Sequence, residues 1–355
     1  MINTDSQRLN AVKITNGSVL VLALWALVFL GALAIAVGAY VSSSIQIARE
    51  IKRRTVGHAL ALAGVEKAVM ELLNDTNSWD GIIEDWSGNE DKFSGVEMPD
   101  GRFSLVVAGE PWLTNGFPEK LCYGLVDEER KININKANAT LISWLIRIVA
   151  GTDETTAGGI AGAIKDWVDP DEEPGLTGGA ENSYYRALDQ SYSCHNGSFD
   201  SLYELLLVRG MTAEIFRRLA PHITVYGAGM VNLNTAGPEV LESIAALYGA
   251  DANVRSSLPE KILKFRKDGN VFDNDSASAI VSQLNEFISL DTAEKSILGL
   301  MKRSTTVRSY CFRGVAVGIL KGNAAVKVSS KLVVDSRIDF VYDRRNRAKV
   351  YWRMY

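Results

Sequence analysis

At 355 residues the chain is long enough for one large domain or two to three smaller ones, and with 47% hydrophobic and 23% charged residues it has the composition of a folded protein rather than a disordered one. A net charge of −4 argues against a nucleic-acid partner, whose phosphates call for an excess of Lys and Arg. Three Cys allow one disulfide with one thiol left over, if the folded part meets an oxidising compartment.

The first 17 residues are polar, carry Arg8 and Lys13, and end in Gly17. Ser18 to Val41 then runs 24 residues without a charge, and Leu, Ile, Val or Phe occupy 13 of them. As a helix it would extend roughly 36 Å, enough to cross a hydrocarbon core of about 30 Å. A secretory signal is cut after its apolar region. No small-residue site with turn-forming flanks follows Val41, so the segment is predicted to be retained, and the processing point falls before it, at Gly17–Ser18. Arg49, Lys52, Arg53 and Arg54 run against a simple positive-inside count, but they begin eight residues past Val41, beyond the bilayer.

From Ser42 to Asn74 apolar residues recur at helical spacing (Ile45, Ala48, Ile51, Ala59, Leu62, Val65, Val69, Leu72), which predicts one buried stripe on a continuing helix. Sustained heptads are missing, which disfavours a coiled-coil stalk. Asn74-Asp75-Thr76-Asn77-Ser78 is a stop signal. Strands are predicted at 101–108 and 121–126, and again at 306–320, 324–338 and 348–354, with short turns at 321–323 and 344–346. Between these halves the pattern is helical. The expected fold is α+β: a long N-terminal helix packed on an antiparallel sheet, with a large all-α insertion. The predicted division is 1–17 leader, 18–41 transmembrane half-helix, 42–75 amphipathic half-helix, 76–132 and 304–355 the α/β domain, and 133–303 the insertion.

The insertion carries an internal repeat. Lys131-Ile132-Asn133-Ile134-Asn135-Lys136-Ala137 precedes a predicted helix at 139–149, and Met230-Val231-Asn232-Leu233-Asn234-Thr235-Ala236 precedes another at 238–247. The stretch starting at Phe199 leads to Thr224-Val225-Tyr226, as the stretch starting at Phe272 leads more loosely to Thr306-Val307-Arg308. Two tandem helical modules follow from this.

A basic leader, Gly17, an apolar helix and an amphipathic continuation resemble the class III signal of type IV prepilins and pseudopilins. The motifs INxNxA, KDWVDPDEEP, GAENSYYRAL, FDSLYELLLVRGMT and VNLNTAGPEVL, in that order, are similar to the component K family of type II secretion minor pseudopilins, over essentially the whole chain from Gly17. The resemblance implies a pilin fold with an all-α insertion, cleavage and methylation at Gly17–Ser18 by a prepilin peptidase, and an inner-membrane anchor with the bulk in the periplasm. It also implies assembly with minor pseudopilins I and J at the pseudopilus tip. Most members of the wider pilin family have Glu at the fifth mature position, where it is thought to pair with a neighbour's N-terminal amine. Here that position is Leu22, which offers no carboxylate and implies a tip place.

Asp166, Asp169, Asp171, Glu172, Glu173 and Glu181 crowd carboxylates into a loop rich in Pro and Gly. Such carboxylates repel unless a cation sits among them, and hard oxygen ligands suit Ca²⁺. Asp169-x-Asp171-x-Glu173 mimics the opening of an EF-hand loop, but Pro174 stands where that loop requires Gly. The resemblance implies calcium in the insertion, and Asp169, Asp171, Glu173 and Glu181 are the expected ligands. A disulfide is expected between Cys194 and Cys122 or Cys311. No zinc spacing, phosphate loop or nucleophile elbow occurs, so an enzyme is not expected. INxNxA also resembles the opening of helix-hairpin-helix DNA-binding modules, but no Gly-rich hairpin follows, and residues 131–226 hold eight Lys and Arg against twelve Asp and Glu. A minor type IV pilin would share the N-terminal helix but not the insertion motifs.

Overall fold

The computed structural model describes residues 16–107, 122–175, 178–322, 326–328 and 331–355. Most of the predicted leader lies outside them, as do residues 324–325 and 329–330 of the strand predicted at 324–338. The chain divides into two compact units, 1–55 and 56–355. Helix α1 (Asn16–Asn74) supplies residues to both and ends at the predicted stop. Its segment from Ser18 is long and apolar enough to cross a membrane, with large side chains exposed throughout 19–41.

In the 56–355 unit, α1 is followed by α2 (Glu90–Phe93) and strands β1 (Val96–Met98), β2 (Gly101–Val107), β3 (Cys122–Tyr123) and β4 (Val126–Asp127). After the helical insertion come β9 (Cys311–Leu320), β10 (Val326–Val328), β11 (Lys331–Val333), β12 (Ser336–Asp343) and β13 (Ala348–Met354). The main sheet runs β1-β2-β9-β12-β13, with β3 on β2 and β4 on β9, and every pair is antiparallel. β10 and β11 form a separate hairpin.

Ala61, Val65, Ala68 and Leu72 are the fully buried stripe of α1, at steps of three and four. They pack with Leu105, Phe312, Ala316 and Phe340 of the sheet. Each large side chain so buried contributes about 1.5–3 kcal/mol. The approach is close because glycines permit it: a Cβ on Gly318 would lie 2.2 Å from the Gly57 carbonyl oxygen. This is the pilin-like α+β arrangement. Three strands differ from expectation. The single strand predicted at 324–338 is divided among β10, β11 and the start of β12. The strand predicted at 121–126 is broken at Gly124, whose φ of +118° and contact with the Trp86 carbonyl (2.6 Å from a built Cβ) exclude any side chain. The sheet strand predicted from Thr306 begins only at Cys311, because residues 305–306 pair elsewhere.

The insertion has its own core, from Ile132 to Val307. It opens with β5 (Ile132–Asn133), which pairs in parallel with β6 (Ile223–Thr224). Between them lie α3 (Ala139–Ala150), α4 (Glu154–Val168), α5 (Asn182–Tyr185), a 3₁₀ turn (Leu202–Leu207) and α6 (Ala213–Leu219). The second copy repeats the plan: β7 (Val231–Asn232) pairs in parallel with β8 (Thr305–Thr306), around α7 (Pro238–Leu247), α8 (Ala252–Lys267), α9 (Ala277–Phe287) and α10 (Thr292–Met301).

The paired asparagines explain the repeat. The first of each pair turns the chain: Asn133 Oδ1 accepts from Asn135 N, and Asn232 Oδ1 from Asn234 N, both at 2.9 Å. The second then clasps a phenylalanine backbone far along the chain. Asn135 exchanges two bonds with Phe199 (2.8 and 3.1 Å), and Asn234 does the same with Phe272 (2.8 and 2.9 Å). Capping starts the helices, with Asn138 and Asp251 accepting from Leu141 N and Val254 N, and Pro at the first position of α7.

Candidate metal centre

α4 ends at Val168, and its last turn presents Asp166, which is buried. Both Asp166 carboxylate oxygens accept from Gly175 N at 3.2 Å, which folds the acidic loop back over the helix end. Gly179 lies so close that a Cβ would fall 1.9 Å from Asp166 Oδ2. The chain then reaches Glu181, at the N-cap of α5, with only 1% of its surface exposed. It makes no capping bond.

Asp166, Asp169 and Glu181 bring carboxylate oxygens within 4.8 Å of one another. Neither oxygen of Glu181 has a hydrogen-bond partner, and neither has Asp169 Oδ1. Burial first, then the charges of Asp166, Asp169, Asp171 and Glu172, push the Glu181 carboxyl up to about 7. Burial likewise raises Asp166 and Asp169. Buried anionic oxygens without donors are rare in folded proteins. Asp169 and Glu181 supply such oxygens beside the Asp166 carboxylate, a donor set that matches a hard divalent cation, and a cation would relieve both the repulsion and the missing partners.

Of the four expected ligands, Asp169 and Glu181 meet at this point, and Asp166 joins them. Asp171 and Glu173 lie outside the group and face solvent: Asp171 Oδ1 instead accepts from Glu173 N (2.9 Å) in a local turn. Asp166 belongs to the last turn of α4 rather than to the Pro/Gly loop in which the sequence places it, and the expected ligand set leaves it out. Its signal was spacing: Asp166 and Asp169 lie three apart, on one face of a helix end. Asn182 is a further supporting residue. It donates to Glu172 Oε1 (2.7 Å) and accepts from Cys194 N (2.8 Å), and Asn196 Nδ2 donates to the Asp171 carbonyl (3.1 Å). Below the site Trp167 meets Tyr185 edge-on and stacks on Phe199, which is held by Asn135.

The expected disulfide is not formed. Cys122, Cys194 and Cys311 are free thiols. Cys194 is buried in the core of the insertion with its Sγ 3.7 Å from the Asp166 carbonyl, whereas Cys122 sits opposite Val107 and Cys311 opposite Asp343 in the sheet. Their positions in the packing keep each thiol with other neighbours. At the other end of the chain, Gly17 and Ser18 are helical and Leu22 is exposed on α1.

Residues 125–228 match the family model described as type II secretion system protein K, first domain. The chain is 28% identical over 204 residues to type II secretion system protein K of Klebsiella pneumoniae, covering 57% of this chain and 58% of that one. It is 37% identical over 113 residues to the protein of the same name in Aeromonas hydrophila, covering 30% of this chain and 34% of that one. The matched stretches thus span less than two thirds of these relatives. A chain in the crystal structure of the GspK-GspI-GspJ complex from the enterotoxigenic Escherichia coli type 2 secretion system shares the fold, with a TM-score of 0.57 at 14% identity over 88% of this chain and 98% of that one.

Proposed function

Since this chain belongs to the type II secretion system protein K family, we propose that it is the minor pseudopilin that caps the tip of the secretion pseudopilus. The observation that carries this is Leu22, the fifth residue after Gly17, exposed on an apolar helix where a subunit that accepts a successor needs a carboxylate. Burying a charge in lipid costs several kcal/mol and is retained only where a partner offsets it. A chain without that acid has no one above it. The helical insertion, with its own core, adds bulk that a further subunit would have to clear.

On this reading a prepilin peptidase cuts after Gly17, the new amine is methylated, and α1 holds the subunit in the inner membrane with residues beyond the span in the periplasm. The chain assembles with minor pseudopilins I and J of its own system to start the fibre, and it acts as a structural part of export rather than as an enzyme. A calcium ion would be held by Asp166, Asp169 and Glu181, tying the end of α4 to the start of α5. The test is twofold. Mass spectrometry should find a mature N-terminus at Ser18, and an intact Met1 would reject the pilin class. The full chain should co-purify with I and J, and labelled protein should mark one end of each pseudopilus. Label spread along the shaft would reject the tip assignment, and retention of I and J by a type IV pilus protein instead would favour a minor pilin.

A further inference from the structure

A second set of carboxylates lies where α1 ends. Asp75, Asp80 and Glu84 bring oxygens within 4.8 Å of one another. Most of their lone pairs are accounted for. Asp75 accepts from Asn77 N (2.9 Å) and Arg344 Nη1 (2.7 Å). Asp80 Oδ2 accepts from Ser309 N and Arg344 Nη2, both at 2.8 Å. Glu84 accepts from Asn77 Nδ2 (2.6 Å), Gly81 N (2.8 Å) and Trp86 Nε1 (3.0 Å). One oxygen is left over: Asp80 is fully buried, and its Oδ1 has no partner at all.

The charges do not balance either. One guanidinium, that of Arg344, pairs with Asp75 and Asp80, and Lys92 is engaged by Glu71 and Asp85. Asp75 and Glu84, though not Asp80, also line a cavity of about 390 Å³, where Glu71, Asn74, Asn77 and Asp85 add oxygens beside Trp79, Ile83 and Trp86. The last carbonyls of α1 add the negative end of the helix dipole.

We propose that Asp75, Asp80 and Glu84 form a second divalent-cation site of the calcium type, apart from the Asp166 cluster and independent of the pseudopilin reading. Asp80 Oδ1 is the anchoring ligand, and waters in the cavity complete the six to eight oxygens such an ion takes. The ion would lock the end of α1 to the start of β9 and the turn after β12, which Ser309 and Arg344 already hold to Asp80 through its other oxygen.

The test uses the full chain in detergent micelles. Equilibrium dialysis against radioactive Ca²⁺ counts bound ions, and Tb³⁺ luminescence excited through tryptophan reports on this site because Trp79 and Trp86 line the cavity. In a Glu181→Gln background, a saturable Ca²⁺ site should remain. Adding Asp75→Asn, which keeps the size of Asp75 but turns one of its two accepting oxygens into a donor, should weaken that site at least tenfold and dim the luminescence. Glu84→Gln should do the same. The near-ultraviolet circular dichroism of each variant checks that it is folded. If no saturable site remains in the Glu181→Gln chain, or if it survives Asp75→Asn and Glu84→Gln in folded protein, the proposal is wrong. If instead Glu181→Gln removes nothing while Asp75→Asn does, the Asp166 centre fails and this one stands.

Discussion

The two copies of the Asn-x-Asn module share an inner wiring and differ in what lies outside it. In both, the second asparagine clasps a phenylalanine backbone and the first turns the chain. The first copy then sends Asn133 Nδ2 to the backbone carbonyls of Tyr226 and Gly227, in half-buried surroundings. The second sends Asn232 Nδ2 into a buried polar cluster: the Asp80 carbonyl, Asp127 Oδ2 and Ser309 Oγ. Asp127 also accepts from Thr235 Oγ1 and Ser309 Oγ, so one carboxylate gathers three segments of the chain. The difference teaches a division of labour. The second copy fastens the insertion to the α/β unit, whereas the first carries, between α4 and the 3₁₀ turn, the acidic loop that the second copy replaces with plain helices.

The sharpest way to break this comparison is to delete corresponding side chains. Asn232→Ala removes the one amide that donates to three buried acceptors and leaves the Asp127 carboxylate short of a partner. Losses of this kind are expected to cost about 3–5 kcal/mol. Asn133→Ala exposes two carbonyls that water can reach, and about 1–3 kcal/mol is expected. Chemical denaturation of the full chain in micelles measures both. Equal losses would show that the two copies are fastened alike.

Calcium should separate the copies next. At a free concentration a hundred times Kd, a site that exists only in the folded state contributes about 2.7 kcal/mol, which for a chain this size is a rise in Tm of roughly 5 °C. Hydrogen exchange should slow across 166–196 of the first copy. Slowing within 231–306 instead would place the ion in the wrong module. Asn135→Ala against Asn234→Ala gives a smaller contrast, about 1–2 against 2–3 kcal/mol, because Asn234 is buried and Asn135 is only half so.

The modules were legible in the sequence because their signals are local. Asn at two-residue spacing, a cap or Pro and then a 3.6-residue period appear in a single window, and α3 and α7 start at Ala139 and Pro238 where these predict. The phenylalanine partners, Phe199 and Phe272, could be matched only because the repeat supplied a second copy. The polar cluster had no such signal. Asp80 sits in a stretch that reads as a polar loop, and Asp127-Glu128-Glu129 reads as a charged run, yet all four are buried. What buries them is the meeting of segments some two hundred residues apart, such as Asp80 with Ser309, which no local period records. Asp166 is counted among the crowded carboxylates by the sequence but not among the ligands, since only the fold-back of Gly175 and Gly179 turns a helix-end acid into part of a site. The thiols show the converse: spacing could not say that Cys194 faces the insertion core while Cys311 faces the sheet.

The acidic loop supplies the smallest effect and the one that isolates the first copy. Glu181, held near 7 when folded and near its usual 4.5 when unfolded, makes the folded chain bind more protons between those values. Stability rises with pH only where the unfolded chain binds more, so here it must fall as pH increases from about 4.5 to 7. Burial raises Asp80 and Glu129 to about 7 as well, and both push in the same direction, so the slope of the wild-type chain alone identifies nothing. The difference between wild type and Glu181→Gln does. With chelator present, the wild-type stability should drop more steeply than that of Glu181→Gln across this range, by an amount of order 1 kcal/mol. With excess Ca²⁺ the wild-type trend should flatten or reverse, since an ion that needs deprotonated ligands binds more tightly as pH rises. Parallel curves for the two proteins under chelator would mean that Glu181 does not carry the strain of the acidic loop, and the contrast between the modules would then rest on the asparagines alone.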